Sequence, residues 1–164
     1  MWLPVDAYLD IETTGLSRHC HVITVIGIYR CDGNNGQFVQ LVGNEVTRNN
    51  LVTALEDVRT VYTYNGSRFD LPFIRSHLDI DLATDLDHQD LMYACWKQNL
   101  KGGFKAVERQ LGIHRHLQGI DGYEAVLLWC RYKNYGDRRA LDLLLEYNKE
   151  DVVNLKLLRH RLTW

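Results

Sequence analysis

The chain has 164 residues, of which 46% are hydrophobic and 24% are charged. These proportions are typical of globular proteins, and they exclude intrinsic disorder, a coiled coil and a collagen-like chain. The length predicts a single domain over residues 1–164. Nineteen Lys and Arg residues against twenty-one Asp and Glu residues give a net charge of −2. A polybasic coat for nucleic acid is therefore excluded, whereas a local basic groove is not.

The beginning of the chain and its cysteines predict a cytoplasmic protein. Residues 1–6 have neither the basic segment nor the long apolar segment of a signal peptide. The longest apolar stretch, residues 22–29, is too short to cross a bilayer, so we expect no membrane association. The cysteines are scattered without a CxxC pair, at Cys20, Cys31, Cys95 and Cys130. This pattern favours reduced thiols over disulfides or a zinc ribbon.

In chain order, the predicted elements begin with strands. Residues 5–12 alternate apolar and polar side chains, which predicts a strand. A run dense in β-branched residues predicts a second strand at 22–29. A Gly- and Asn-rich turn at 32–36 leads into a third strand at 37–42, so these two strands form an antiparallel hairpin.

The rest of the chain is mostly helical, with one further strand at residues 60–64. The predicted helices are residues 50–58, 70–78, 90–98, 104–111, 123–132 and 137–162. Pro72 lies in the first turn of its helix, where a missing N–H costs little. Strands that come first, with helices interleaved and then dominant, predict an α/β fold in which helices cover one mixed sheet.

Two carboxylates stand at the C-terminal end of the first strand. Asp10 and Glu12 are two residues apart, so their side chains project from one face, about 7 Å apart along the strand. Open α/β sheets place their ligand crevices at this end. Like charges repel there unless a cation lies between them, and Mg²⁺ and Mn²⁺ prefer oxygen ligands. The alternative is a solvated acidic strand end.

Asp151 falls on an apolar stripe of the last predicted helix. The stripe positions around it are occupied by Leu144, Leu155 and Leu158. An unpaired carboxylate facing the core is costly, so Asp151 serves a site or pairs with a buried arginine. Tyr147 lies one turn earlier, which brings its hydroxyl and the carboxylate toward one site. The alternative for Tyr147 is a core aromatic with a hydrogen-bonded hydroxyl.

A second group of polar residues lies between the fourth strand and the next helix. Asp70 opens the predicted helix at 70–78, where an aspartate is usually an N-cap. Asn65 and Gly66 are typical of a turn after a strand. Each feature has an ordinary structural explanation, and their joint occurrence with the other carboxylates is what indicates a site.

Three segments resemble the motifs of the DEDD superfamily of 3′–5′ exonucleases, which includes polymerase proofreading domains. Residues 10–16 (DIETTGL) resemble the DxETTGL motif. Residues 65–70 (NGSRFD) resemble the second motif, an asparagine followed by an aromatic-aspartate pair. Residues 147–151 (YNKED) resemble the YxxxD motif of the tyrosine-bearing (DEDDy) branch. Within the superfamily, segments 88–91 and 104–113 resemble the YprB-type ribonuclease-H-like domains most closely.

The resemblance implies a ribonuclease-H-like fold and a metal site. The fold would be a five-stranded mixed sheet with its second strand antiparallel, flanked by helices, in agreement with the predicted hairpin. The residues implied to bind two Mg²⁺ or Mn²⁺ ions around the scissile phosphate are Asp10, Glu12, Asp70 and Asp151. Two ions about 3.5–4 Å apart clamp the attacking and leaving oxygens of an in-line displacement.

The implied chemistry has two consequences for the protein itself. Without metal, the clustered carboxylates repel one another, which predicts raised pKa values for some of them. A tyrosine with a pKa near 10 is a poor base at neutral pH, so we expect Tyr147 to orient the attacking water.

The resemblance also implies contacts with the substrate strand. The backbone at Thr13 and Thr14 would hold the terminal 3′ hydroxyl, and Leu16 would wedge against the terminal base. Asn65 and Phe69 would line the cleft beside it. Stacking on apolar or aromatic surfaces tolerates any base, as a general exonuclease requires. The alternatives are a glycine-governed turn at the threonines and core contacts for the leucine and the phenylalanine.

Three groups of basic residues lie along the predicted helices. The groups are Lys101, Lys105 and Arg109; Arg131, Lys133, Arg138 and Arg139; and Arg159, His160 and Arg161. Such groups are typical of solvated helix faces. A group that flanks the carboxylates would bind phosphates of an incoming strand with salt-dependent affinity.

Together these features predict a metal-dependent 3′–5′ exonuclease that acts on single-stranded DNA or RNA ends and releases nucleoside 5′-monophosphates. A structure-selective endonuclease on the same fold is an alternative, because the carboxylates do not distinguish free ends from internal bonds. A non-catalytic nucleic-acid-binding module is another, for which a lost carboxylate would be the sign. None of the four is lost.

Overall fold

The computed structural model describes residues 4–162. Its strands are β1 (Val5–Thr13), β2 (Ile23–Asp32), β3 (Asn35–Val42), β4 (Val58–Thr63) and β5 (Asp87–Asp90). They form a single sheet in the order β3-β2-β1-β4-β5. The strand that begins the chain therefore lies at the centre of the sheet.

The sheet is mixed. β1 pairs antiparallel with β2 and parallel with β4, β2 and β3 form an antiparallel hairpin, and β4 pairs parallel with β5. The predicted five-stranded mixed sheet with an antiparallel second strand is confirmed. Because β1, β4 and β5 run in one direction, their C-terminal ends meet at one edge, where α/β sheets bind ligands.

Helices cover both faces of the sheet. They are α1 (Arg48–Ala54), α2 (Asp70–Leu78), α3 (Leu82–Asp85), α4 (Leu91–Lys97), α5 (Phe104–Leu111), α6 (Gly122–Tyr135) and α7 (Arg138–Arg161). Within residues 4–162, no helix combines the length and the hydrophobicity that crossing a membrane requires.

The alternation of side chains along β1 decides what each face carries. Leu9 packs into a core formed with α1 and α2, whereas Tyr8 packs into a core formed with α7. Since successive residues of a strand point to opposite faces, Asp10 and Glu12 share the face of Tyr8. Both carboxylates therefore point toward α7.

Two parts of the predicted element order are wrong, while the other elements agree to within three residues at either end. The helix predicted at 50–58 ends earlier, and Val58 begins β4, because Asp57 adopts a left-handed φ of 63°. The short elements α3 and β5 were not predicted, since the sequence of β5 is entirely polar and shows no hydrophobic alternation. Asp90 is the N-cap of α4 rather than a helical residue.

Candidate active site

Three carboxylates from two elements converge beside the C-terminal end of β1. Asp10 and Glu12 project from β1, and Asp151 comes from the second half of α7. One carboxylate oxygen of each residue lies within 4.8 Å of those of the other two. The structure thus brings together three of the four carboxylates predicted to bind metal, and oxygen ligands of this kind suit Mg²⁺ or Mn²⁺.

The fourth predicted carboxylate, Asp70, is buried at the start of α2, outside that group of three. It is not the N-cap of the helix, because Phe69 occupies that position. Burial, followed by the charge of Asp90, raises the pKa of Asp70 to about 8, although a backbone hydrogen bond from Ile11 opposes the rise. The charge of Asp151 contributes in the same direction, so Asp70 belongs electrostatically to the cluster.

The strand carboxylates are poorly stabilised as anions. Burial, followed by the charge of Asp151, raises the pKa of Asp10 and of Glu12 well above the usual range. The expected rise is therefore present. Within residues 4–162, Glu12 Oε1 and Asp70 Oδ1 are buried without a hydrogen-bond partner. Unpaired buried acceptors are costly, and a bound cation would supply what these oxygens lack.

Asn148 connects α7 to the end of β1. Its Nδ2 donates to the backbone oxygen of Asp10 at 3.2 Å and to Asp10 Oδ2 at 3.3 Å. Gln40 Nε2 in turn donates to Asn148 Oδ1 at 2.9 Å. This close approach depends on Gly27, which lies opposite Asp10 in the sheet, because a Cβ there would collide with Asn148 and Val152. Asn148 thereby orients Asp10 and partly offsets its raised pKa.

A buried arginine is the partner of Asp151. Arg115 Nη2 lies 2.6 Å from Asp151 Oδ1, and the arginine side chain is only 8% exposed. Arg115 also donates two hydrogen bonds to Glu108, at 3.0 and 2.8 Å, and Asn154 Nδ2 donates to the same carboxylate at 2.8 Å. Asp151 can both pair with a buried arginine and serve a site, because its carboxylate has two oxygens and Arg115 contacts one of them. Burial raises the pKa of Asp151 to about 6, and Arg115 limits the rise.

Tyr147 is buried, and its hydroxyl is held by a lysine. Lys105 Nζ donates to the Tyr147 oxygen at 2.7 Å and to the backbone oxygen of Ile120 at 2.7 Å. Burial, followed by the charges of the surrounding carboxylates, raises the pKa of Tyr147 well above 10. Tyr147 therefore keeps its proton at neutral pH, so it cannot act there as a phenolate base.

An open cleft of about 270 Å³ borders these groups. Its walls include the carboxylates of Asp10 and Asp151 and the aromatic rings of Tyr64 and Phe104. The two aromatic rings stack with their centroids 5.1 Å apart. A flat aromatic surface beside buried carboxylates has the chemistry to accept a nucleobase.

The end of β1 and the loop that follows it contain three of the residues predicted to contact substrate. Thr13 Oγ1 donates to the backbone oxygen of Gly15 at 2.6 Å, and Thr14 Oγ1 accepts from Val22 N at 3.0 Å. Both hydroxyls therefore stabilise the turn. Leu16 is 86% exposed, which excludes a core contact and leaves its side chain available to a ligand.

The other two predicted contact residues flank the turn before α2. Asn65 adopts a left-handed φ of 60°, which asparagine tolerates better than most residues, and its N–H donates to Asp90 Oδ1 at 2.8 Å. Phe69 is partly buried and packs on Phe73 with ring centroids 5.0 Å apart. Phe69 thus has the core contact considered as its alternative, and a role of either residue toward substrate stays a prediction.

The basic residues differ in what they face. Lys105 is not on a solvated helix face, because its ammonium group reaches Tyr147. Arg131 forms an exposed ion pair with Asp137 at 2.6 Å. Arg159 pairs with Asp6 of β1 at 2.7 Å. Of these three, only Lys105 contributes to the candidate site.

Sequence patterns did not predict three polar residues of the site, Glu108, Arg115 and Asn148, and they indicated Lys105 only as a member of a basic group. Two of them carry a signal, because Asn148 lies on the apolar stripe of Asp151, and Glu108 lies on that of Phe104. A polar residue on a buried stripe requires a partner. Arg115 lies in the loop between α5 and α6, where no periodicity indicates its environment.

Comparison by sequence relates the chain to a family. Residues 7–163 match the RNase_H_2 family, described as RNase_H superfamily. The chain is also 27% identical over 163 residues to YprB of Bacillus subtilis, an alignment that covers 90% of this chain and 39% of that protein. The chain therefore spans less than half the length of this relative.

Solved structures share the fold at lower sequence identity. NrnC of Brucella melitensis with bound Mg²⁺ gives a TM-score of 0.64 at 19% identity, over 98% of this chain and 72% of that chain. The family B DNA polymerase of Pyrobaculum calidifontis gives 0.66 at 14% identity, over 93% of this chain and 24% of that chain. The sheet topology agrees with the family match over residues 7–163, and the chain belongs to the RNase H superfamily.

Proposed function

We propose that this chain is a metal-dependent 3′–5′ exonuclease that hydrolyses phosphodiester bonds at single-stranded 3′ ends of DNA or RNA. The observation that carries the proposal is the convergence of Asp10, Glu12 and Asp151 within 4.8 Å beside an open cleft. Carboxylates with strongly raised pKa values in a cleft are typical of functional sites. The resemblance to the DEDDy motifs supports the reaction and its direction.

The donor set fits two divalent cations, Mg²⁺ or Mn²⁺. Asp10, Glu12 and Asp151 would hold one ion, and Asp70 would contribute to the second. Bound metal would activate water for attack and stabilise charge on the leaving oxygen. A structure of NrnC contains Mg²⁺ and another contains pGG, which supports both the cofactor and the class of ligand.

Tyr147 would orient the attacking water. Its raised pKa keeps the phenol protonated, and Lys105 already donates to the phenolic oxygen. The proton of Tyr147 is therefore directed away from Lys105, toward a water or a phosphate oxygen in the cleft. Lys105 also places a positive charge beside the position of the phosphate.

The substrate strand would end at the loop after β1. Thr13 and Thr14 would present backbone groups to the 3′ hydroxyl, while the exposed Leu16 would wedge against the terminal base. Asn65 and Phe69 would line the cleft farther along. These contacts would recognise the 3′ end of a strand and not its base sequence. Neither contact distinguishes DNA from RNA, so both should be tested.

Digestion of 5′-labelled single-stranded DNA and RNA in Mn²⁺, Mg²⁺ or EDTA tests the proposal. We expect a metal-dependent ladder that shortens from the 3′ end, absent with EDTA and in Asp151→Asn. A closed circular single strand should stay intact, whereas its cleavage would indicate a structure-selective endonuclease. If metal-saturated protein cleaves no substrate, the proposal is wrong and a non-catalytic binding module is favoured.

A further inference from the structure

The outer surface of α4 carries two exposed aromatic side chains that face an arginine. Tyr93 and Trp96 are 37% and 43% exposed, and their rings meet edge to face with centroids 5.2 Å apart. The guanidinium carbon of Arg68 lies 5.9 Å from the Tyr93 centroid and 5.6 Å from the Trp96 centroid. Clustered aromatic side chains left in water are informative, because most residues of this kind are buried.

The same surface has positive charge that is not used elsewhere. In the described part of the chain, neither Arg68 nor Lys97 forms an ion pair. A groove of about 470 Å³ is lined by Tyr93, Lys97 and Asp90, among others. That carboxylate already accepts hydrogen bonds from Asn65 N, Ser67 N and Ser67 Oγ. Asp90 is thus engaged by the turn before α2, and Lys97 is the cation in the wall of the groove.

This surface lies beside β5, the outermost strand on one side of the sheet, and the same sheet carries the candidate active site. α4 follows β5 directly, and only β4 separates β5 from β1. Since neighbouring strands are about 4.8 Å apart, α4 begins about 10 Å from the strand of Asp10 and Glu12. Arg68 is also only two residues from Asp70 along the chain. A single strand with its 3′ end at the carboxylates would span this distance within a few nucleotides.

We propose that Arg68, Tyr93 and Trp96 form a stacking platform for bases upstream of the 3′-terminal nucleotide. Arg68 and Lys97 bind the flanking phosphates. The inference rests on the proposed function, because it extends the same strand away from the scissile bond. Aromatic faces accept any base, so the platform adds affinity without sequence specificity. A chain with a net charge of −2 needs such a local site to hold a polyanion.

The platform is already ordered without nucleic acid. The cation–π contacts of Arg68 hold the guanidinium over both rings, so little side-chain freedom is lost when a base stacks. A protein partner is the other class of ligand for an aromatic surface. The position of α4 beside the sheet that carries the candidate active site, and the two cations without an ion pair in residues 4–162, favour a nucleic-acid strand.

Binding of 5′-fluorescein-labelled oligo(dT) of two and eight nucleotides, measured by anisotropy with Ca²⁺ in place of Mg²⁺, tests the platform. Stacking of one base is worth about 1–3 kcal/mol, so Trp96→Ala should weaken binding of the octamer about tenfold to a hundredfold. Binding of the dinucleotide should change less than about twofold, because it does not reach α4. Trp96→Phe should keep most of the octamer affinity, since it keeps an aromatic face.

The control is Tyr123→Ala, which removes an aromatic side chain that is 70% exposed on α6. It should bind both oligonucleotides like the wild type. If Trp96→Ala binds the octamer as tightly as the wild type, the platform is wrong while the exonuclease proposal stands. Equal losses for both lengths would also overturn it, because Trp96 would then act at the terminal nucleotide. If the wild type neither binds nor cleaves any oligonucleotide, both proposals fail.

Discussion

The two sides of the candidate active site carry the same kind of side chain in different electrostatic surroundings. On the strand side, Asp10 and Glu12 have pKa values well above the usual range, because they are buried and face other carboxylates. On the helix side, Asp151 is also buried, yet the guanidinium of Arg115 holds its pKa to about 6.

The difference in pKa arises because a positively charged side chain contacts the carboxylate on the helix side, whereas a neutral amide contacts Asp10 on the strand side. Arg115 contacts both Glu108 and Asp151, so the protein supplies a cation of its own on the helix side. The strand side has a neutral amide, Asn148, and a buried Glu12 oxygen without a partner in residues 4–162. Within residues 4–162, the two of the three converging carboxylates that no cationic side chain contacts are therefore on the strand side, where a metal ion would bind. This arrangement lets an ion pair and a metal site share one carboxylate.

The largest expected effect concerns the strand side. Asp10→Asn should lower the cleavage rate about a thousandfold or more, because it removes a proposed ligand of the catalytic metal. The stability of the metal-free protein should not fall, since the substitution relieves repulsion within the cluster. Rates on a labelled single strand and melting temperatures in EDTA measure both effects.

Asp151→Asn is the matched variant on the helix side. It should also lose activity, but its metal-free protein should be less stable, because Arg115 loses a partner in a buried position. If the two variants have the same melting temperature in EDTA, the contrast between the two sides is wrong.

The second expected effect is on folding stability. Arg115→Met should reduce the free energy of unfolding by about 3–5 kcal/mol, because it leaves two buried carboxylates without their cation. Arg131→Met is the control, since Arg131 lies at the same 2.6 Å from its partner Asp137 but is 59% exposed. That variant should lose about 0–1 kcal/mol in chemical denaturation. Similar losses in both variants would show that burial does not set the strength of these pairs.

The third expected effect is the response to metal. Mn²⁺ at about one hundred times its dissociation constant should stabilise the fold by about 2.7 kcal/mol. For a domain of this size, that corresponds to roughly 5–10 °C in melting temperature. Asp10→Asn should respond little, because it lacks a ligand on the side that depends on the ion. An undiminished response in this variant would place the bound metal elsewhere.

The residues of the site also differ in whether local sequence patterns could predict them. Strand alternation places Asp10 and Glu12 on one face, and helical periodicity places Tyr147 and Asp151 on another, so their approach follows from local patterns. Arg115 lies in a loop, and its partners are set by tertiary packing that no local pattern encodes. The carboxylates and the tyrosine of the site are therefore predictable, whereas the arginine that pairs with Asp151 is not.

The fold shows a related limit. The hairpin of β2 and β3 follows from its turn and its hydrophobic runs. β5 has four polar residues, Asp87–Asp90, so only the family resemblance predicted a fifth strand. From the sequence, Gly27 is an ordinary residue of a buried strand. In the structure, the absence of a Cβ at this glycine is what lets Asn148 reach Asp10.

The last expected effect is the pH dependence of the metal-free protein. The pKa of Asp70 is about 8 in the folded protein, against a usual value of 3.8. Between these values the folded protein keeps a proton that the unfolded chain releases, so stability falls as pH rises. Asp10 and Glu12 act in the same direction, since their pKa values are also raised. Melting temperatures in EDTA should therefore decline as the pH rises from about 5 to 8.

Two variants sharpen this test. Asp70→Asn should remove part of the decline, because an amide has no proton to lose in that range. Asp137→Asn is the control: a backbone hydrogen bond from Ala140 lowers the pKa of Asp137, so its contribution has the opposite sign and is lost below its usual value of 3.8. Saturating Mn²⁺ should flatten the wild-type curve by replacing protons on the strand side. A melting temperature that rises between about pH 5 and 8 in EDTA would contradict the raised pKa values, and with them the view that this side needs a cation.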